Sequence, residues 1–141
     1  MSRITDRLMT VRHRIDAAAE HYGRDPESIE LIAVSKTFPT SAIEEAMHAG
    51  QKAFGENYVQ ELDLKHGELG SAPQWHFIGS LQSNKVKLIA PYISLIHGVT
   101  SYSVLLEISK RSTQLGRVTD LLLQVHIAKE ESKSGFDSQE V

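Results

Sequence analysis

Short apolar runs alternate with helix-like segments along the chain, and this alternation limits the possible folds more than any other feature. A leading segment repeats apolar residues at Ile4, Leu8, Val11 and Ile15, the spacing of an amphipathic helix. The apolar runs that follow are Leu31–Val34, Ala53–Gly55, Trp75–Ile78, Ser94–Val99 and Leu121–Ile127. Strands that alternate with helices in this way predict parallel βαβ units. The predicted fold class is therefore α/β, a partial (β/α)8 TIM-type barrel with a leading helix and the first five βα units.

Turn and capping residues set the expected boundaries of these elements. Ser41–Glu44 has the pattern of a capping box, Asn57 can cap the next helix, and Ser83 can begin a helix that ends near Ala90. The continuous apolar character of Leu31–Val34 predicts a strand that is buried on both faces.

The length of the chain bears on how complete such a barrel can be. A closed barrel of eight units needs about 250 residues, and this chain has 141. Asp137 and Glu140 have the spacing of a capping box at the start of a further helix, but only Val141 follows them in the sequence. We therefore expect residues 1–141 to form a single barrel domain that is incomplete at its C-terminal end. Its first and fifth strands would be open edges, which favour self-association.

Composition excludes several classes of function. The net charge of −3 argues against nucleic acid or an anionic membrane as the main partner. The absence of cysteine excludes disulfides and thiolate chemistry. The seven histidines lack the spacing of metal ligands, so no metal site is predicted. The arginine-rich first twenty residues do not resemble a signal peptide, and the expected location is cytoplasmic.

Lys36 is the first candidate for chemistry because it follows the Leu31–Val34 strand almost directly. Reactive groups in parallel α/β folds lie at the carboxyl ends of strands. Apolar neighbours could partly desolvate this lysine and leave a neutral amine that attacks a carbonyl carbon. From position alone, a lysine that snorkels at a strand end is the more common case.

Three further positions lie at predicted strand ends and keep ordinary structural alternatives. Asn57 can offer its amide to a ligand or cap a helix. His76 lies among apolar residues, where histidines are more often hydrogen-bonded core members than ligands. Lys133, in the loop 132–135, can be a site residue or a solvated surface lysine. Gln82–Lys85 is a polar cluster suited to an anion or to capping.

Four segments, taken together and in this order, resemble the pyridoxal 5′-phosphate (PLP) homeostasis protein family. The segments are Leu31–Thr37, Phe54–Glu61, Trp75–Lys85 and residues 132–135. This is a family of small PLP-binding barrels related to the N-terminal domain of alanine racemase. The resemblance covers essentially the whole chain, and the Trp75–Lys85 segment is the most specific part.

The resemblance implies that Lys36 forms the internal aldimine, a Schiff base, with PLP. It implies that Asn57 and Ile78 lie near the pyridine ring, that His76 is in the pocket wall, and that Lys133 is a secondary lysine nearby. It also implies a carrier of PLP without established catalysis, which hands PLP to PLP-dependent apoenzymes. Full-length relatives are expected to be monomeric.

Family members hold the phosphate of PLP with a Ser-Met-Gly-Met-Ser segment and a Gly-Ser-Thr/Val-Arg-Ile-Gly segment, and neither occurs here. The resemblance therefore implies that this chain keeps the covalent anchor without the phosphate grip. Two other readings remain at this point. One is a PLP-dependent amino-acid racemase, for which an opposing acid or base residue is not recognisable. The other is a non-functional barrel fragment.

Overall fold

A single parallel sheet organises the computed structural model, which describes residues 3–128 and 134–141. The described residues contain five strands, paired in chain order throughout: β1 (Ile32–Val34), β2 (Ala53–Glu56), β3 (Gln74–Phe77), β4 (Leu95–Val99) and β5 (Asp120–Leu123). The helices are α1 (Arg3–His21), α2 (Thr40–His48), α3 (Val59–Leu69), α4 (Val86–Ile89) and α5 (Tyr102–Leu115). Short 3-10 turns occupy Pro26–Ser28 and Ser83–Lys85. The predicted α/β alternation is confirmed, and the strand order is that of a partial barrel.

The register of the strands separates the sheet into two faces. Phe54 pairs with Trp75, and Gly55 pairs with His76. Side chains alternate between faces along a strand, so Phe54 and Trp75 lie on one face while His76 lies on the other. The first face carries the hydrophobic core, in which strand residues pack with apolar residues of the helices: Ile43, Leu62, Val86, Ile89, Val104 and Ile108. All these helices therefore cover the same face, and the face that carries His76 is free of them.

Trp75 is the centre of this core. Its side chain is fully buried, its ring lies 6.5 Å from that of Phe54, and its Nε1–H donates to the Gly70 carbonyl at 2.9 Å. Complete burial of such an aromatic side chain contributes about 1.5–3 kcal/mol. The hydrogen bond satisfies the indole N–H, which would otherwise be costly to bury.

Burial of β1 differs from the sequence-based expectation of a strand covered on both faces, whereas the exposure of β5 agrees with the open edge expected there. Val34 is 52% exposed and Leu122 is 50% exposed, so neither β1 nor β5 is buried on both faces. The reason is position, since within the described residues each of these strands pairs on one side only. β5 also ends at Leu123 rather than Ile127, and Val125 makes only an isolated bridge with Phe136.

Two predicted helix starts are revised, and the third is present as a turn. α2 begins at Thr40 behind Pro39, so the capping box at Ser41 does not form. The segment from Ser83 is a 3-10 turn followed by the short α4 rather than one helix. At Asp137 the hydrogen bonds of a capping box are present: the Asp137 carboxylate accepts from Gln139 N–H, and the Glu140 carboxylate accepts from Asp137 N–H. Residues 138–140 form a turn there.

No helix in the described ranges combines the length and the apolar character that crossing a bilayer requires.

The open edges generate a prediction about assembly. The unpaired backbone groups of β1 and β5, beside exposed Val34 and Leu122, can pair with a second chain. We expect the 141-residue chain to self-associate in sedimentation velocity, with an average mass that rises with concentration. Replacement of Val34 and Leu122 by lysine (V34K/L122K) should shift the distribution of sedimenting species towards monomer. A concentration-independent monomer for the unmodified chain would contradict the prediction.

Candidate functional site

The carboxyl ends of β1, β2 and β3 bring three of the predicted site residues to one edge of the sheet. Strand pairing continues past the strand ends, because Ser35 N–H donates to Gly55 O at 3.0 Å and Ile78 N–H donates to Glu56 O at 2.9 Å. Extending this register places Lys36, Asn57 and Ile78 at the same level. The proximity that the resemblance implied is therefore present, although it does not by itself assign a role to any of the three residues.

Lys36 lies in the turn after β1 and is exposed. Within the described part of the chain its amine makes no hydrogen bond or ion pair. The expected partial desolvation is therefore wrong, because β1 is an edge strand and leaves the turn open to water. What the structure provides at this position is an accessible amine.

The backbone on both sides of Lys36 is held by polar side chains. Thr37 has a φ of 66°, and it is the one residue other than glycine with a positive φ among those described. This region is sterically costly for a β-branched residue and persists only where neighbouring contacts enforce it. The Thr37 N–H donates to the Glu61 carboxylate, and the Ser35 hydroxyl donates to Glu56 Oε1 at 2.7 Å.

Lys65 of α3 connects these contacts. Its ammonium donates to Ser35 O at 2.8 Å, to Glu56 Oε1 at 2.6 Å and to Glu61 Oε1 at 2.8 Å. An ammonium group has three N–H donors, so these acceptors satisfy all of them. The side chains of Lys65 and Glu56 are 7% and 0% exposed. The cluster of Ser35, Glu56, Glu61 and Lys65, named here the buried polar cluster, ties the end of β1 to β2 and α3.

The ionisation of Glu61 follows from this environment. Partial burial is the largest single effect and acts to raise the pKa of the Glu61 carboxyl, but the hydrogen bonds from Lys65 and the Thr37 N–H together with the Lys65 charge outweigh it. The net result is a pKa below the usual value for glutamate, so the carboxylate form that accepts these bonds is favoured.

Close backbone contacts fix Asn57 at the end of β2. A Cβ atom added to Gly79 would lie 2.1 Å from Asn57 O, and one added to Gly98 would lie 2.9 Å from Gly79 O. Only glycine allows the ends of β2, β3 and β4 to approach this closely. Asn57 does not cap α3, whose N-cap is Tyr58. The capping alternative for Asn57 is therefore excluded.

Ile78 lies over the neighbouring glycine of β2. Its Cδ1 would be 3.0 Å from a Cβ added to Gly55. A side chain at Gly55 would thus collide with Ile78, and its absence lets Ile78 lie flat against the strand. Together with half-exposed Val34, Ile78 gives the helix-free face an apolar surface beside the Lys36 turn.

His76 is buried on the helix-free face and has a partner that the sequence analysis missed. Its Nδ1 lies 3.0 Å from Nε2 of His97 in β4. His97 comes two residues after Leu95, the register partner of His76, so both rings are on one face. This pairing could have been found only by fixing the register of β3 against β4. Lys133 lies outside the described residues.

Burial lowers the pKa of both histidines, although the Glu30 carboxylate acts in the opposite direction on each. The charge on His97 lowers the pKa of His76 further. One ring must donate and the other accept in an imidazole–imidazole hydrogen bond. The pair is therefore compatible with at most one protonated ring.

Asn57 also lines a cavity of mixed polar and apolar character. Its volume is about 320 Å³, and it is lined by Asn57, Tyr58, Val59, Gln60, Ser80, Gln82 and Lys85. Lys85 of the predicted Gln82–Lys85 cluster is half-buried there, whereas Ser83 and Asn84 are exposed. The cluster therefore does not act as one unit.

Comparison with known proteins gives a consistent set of relatives. No family model matches the chain. The pyridoxal phosphate homeostasis protein of Escherichia coli K12 is 44% identical over an alignment 145 positions long, which covers 100% of this chain and 62% of the relative. The protein of the same name from Pseudomonas aeruginosa PAO1 is 42% identical, with 96% and 59% covered. The chain thus spans less than two thirds of the length of the curated relatives it matches.

A solved structure agrees with these relatives. The structure of PipY of Synechococcus elongatus PCC7942 with PLP bound matches with a TM-score of 0.80 and 37% identity. The match covers 96% of this chain and 58% of PipY. The sheet and its helices therefore share the fold of a relative whose structure contains bound PLP.

The close approach at Gly79 generates a prediction about stability. Gly79→Ala should lower the free energy of unfolding by about 1–3 kcal/mol, since the new methyl group collides with Asn57 backbone. Gly67→Ala is the matched control, because Gly67 lies in α3 with nothing within 4 Å of an added Cβ. That change should raise stability by about 0.5–1 kcal/mol. Urea denaturation measures the free energy of unfolding of both variants. Equal effects of the two substitutions would refute the close backbone contact assigned to Gly79.

The histidine pair generates a prediction about pH. A pKa that is lower in the folded state than in the unfolded state means that the unfolded chain binds protons first as pH falls. Stability should therefore decrease as pH falls below 6.5, the ordinary value for histidine. In His97→Gln the decrease between about pH 7 and about pH 5 should be smaller, because one of the two buried imidazoles is gone. Thermal melts across this range, with exposed His48→Gln as control, provide the measurement.

Proposed function

We propose that this chain, a homologue of the pyridoxal phosphate homeostasis proteins over 62% of the E. coli relative's length, binds PLP through Lys36 and takes part in intracellular PLP homeostasis. The observation that carries the proposal is the Lys36 turn. It presents an accessible amine at the carboxyl edge of a parallel sheet, with hydrogen bonds holding the residues on both sides. The likeness to PLP-bound PipY supports PLP as the ligand.

The residues around Lys36 fit an aldehyde that is carried on a flat aromatic ring. Ile78 and Val34 offer apolar surface for the face of a ring. Asn57, whose backbone is held at the same level, has a side-chain amide that can donate or accept a hydrogen bond. His76 lies on the same helix-free face, two residues before Ile78. We assign these residues to the PLP site and propose Lys133, which lies outside the described residues, as a second lysine there.

The covalent step needs only the amine and the aldehyde. The neutral amine of Lys36 attacks the aldehyde carbon of PLP, one water molecule leaves, and a carbon–nitrogen double bond remains as a Schiff base. PLP supplies an electron sink when it is bound. Here its proposed role is to be held and released, and no turnover of amino acids is proposed. PLP-dependent apoenzymes in the cytoplasm are the proposed recipients.

Covalent labelling tests the assignment. After incubation with PLP and reduction with borohydride, peptide mass mapping should place the pyridoxyl group on Lys36. Lys36→Ala should abolish this labelled peptide and reduce total incorporation by about tenfold or more. Lys52→Ala is the control, because Lys52 is an exposed lysine at the opposite, amino end of β2. Labelling mainly at Lys85 or Lys133 would overturn the assignment of Lys36.

A further inference from the structure

We infer that Glu61 is a positioning residue for Lys36. Glu61 holds the Lys36 turn in its left-handed conformation and thereby presents the amine to the ligand. The inference rests on the proposed function for the identity of the ligand. Its structural half, that Glu61 fixes the turn, holds or fails in the protein without any ligand.

The first step concerns what the Lys36 turn needs. Ser35 is paired to β2 by its N–H and closes the turn by accepting from Phe38 N–H at 3.1 Å. These bonds leave the peptide between Lys36 and Thr37 without a partner from the sheet. Glu61 supplies that partner, since its carboxylate accepts the Thr37 N–H. The residue whose φ is unfavourable is thus the residue that Glu61 contacts.

The second step concerns what holds Glu61. Its carboxylate lies one helical turn before Lys65, which donates to it at 2.8 Å. Lys65 is itself fixed by Ser35 O and by the fully buried Glu56. The carboxylate of Glu61 therefore has little freedom to turn away, and its depressed pKa keeps it an acceptor at neutral pH.

The third step distinguishes Glu61 from the other members of the buried polar cluster. Glu56 and Lys65 are a buried pair, so removal of either leaves an uncompensated charge in the protein interior. Removal of Glu61 leaves that pair balanced, with Lys65 still bonded to Glu56 and Ser35 O. A Glu61 variant should therefore fold, and the effect on the turn can be observed separately from the effect on stability.

The chain offers a matched control on the same helix. Glu68 also has a carboxylate that reaches across to another element, where it accepts from the Thr40 hydroxyl at 2.6 Å. That contact lies at the start of α2 and does not involve the Lys36 turn. Glu68→Ala thus removes a comparable charge and a comparable hydrogen bond without the proposed role.

The first measurement uses the ligand-free protein. Hydrogen exchange followed by NMR should show Thr37 N–H exchanging about tenfold faster in Glu61→Ala than in the unmodified chain. The Glu27 N–H, which also donates to a carboxylate in an exposed turn, that of Asp25 at 3.0 Å, is the local control and should not change. Glu61→Gln keeps an oxygen that accepts the Thr37 N–H, so it should restore slow exchange. Unchanged exchange of Thr37 N–H in Glu61→Ala would overturn the inference.

The second measurement adds PLP. Glu61→Ala should weaken the apparent affinity for PLP, measured through the covalent adduct on Lys36, by about tenfold. Glu61→Gln and Glu68→Ala should stay within about threefold of the unmodified chain. Equal affinities for Glu61→Ala and Glu68→Ala would overturn the inference while leaving the proposed function intact. Absence of any adduct on Lys36 in the unmodified chain would refute the proposed function, and the exchange measurement would then decide on the turn alone.

Discussion

The hydrogen bonds of the Lys65 ammonium are the interaction on which the carboxyl edge of the sheet depends. One group joins the end of β1, the end of β2 and the first turn of α3. A buried ion pair contributes little net stability when it replaces apolar packing, because both charges lose their hydration. Its value lies in geometry, since the ammonium must meet three acceptors in a fixed arrangement. The buried polar cluster therefore specifies how β1, β2 and α3 fit together.

The fit of the neighbouring strands depends on glycine residues rather than on charged side chains. Gly79 and Gly98 let the ends of β2, β3 and β4 approach within distances that no side chain tolerates. The two devices act on adjacent parts of one edge: polar side chains fix the Lys36 turn, and close backbone contacts fix Asn57. The edge is thus held by specific contacts even though it consists of strand ends and turns.

The sequence predicted the fold class through the alternation of strands and helices, and its resemblance to a known family implied that Lys36, Asn57 and Ile78 lie close together. It did not predict the contacts that depend on register. The hydrogen bond between His76 and His97 requires knowing which residues of β3 and β4 lie side by side. Glu61 and Lys65 have a visible helical spacing, but the burial of Glu56 against Lys65 depends on how α3 packs on β2. Capping at Ser41 and Asn57 was wrong because Pro39 starts α2 earlier and backbone contacts with Gly79 hold Asn57 in the strand end.

Desolvation and positioning are two ways to make a lysine reactive towards a carbonyl compound, and the structure separates them. The sequence argument rested on apolar neighbours that would withdraw Lys36 from water, yet the residue is exposed at an edge strand. The burial expected at Lys36 is found at Lys65, whose three donors are already bonded to protein acceptors. Lys65 is therefore unsuited to attack a carbonyl, whereas the amine of exposed Lys36 is accessible. Under the proposed function the two lysines have different roles: Lys65 holds Ser35 and Glu61 beside the turn, and Lys36 is the residue proposed to bind PLP.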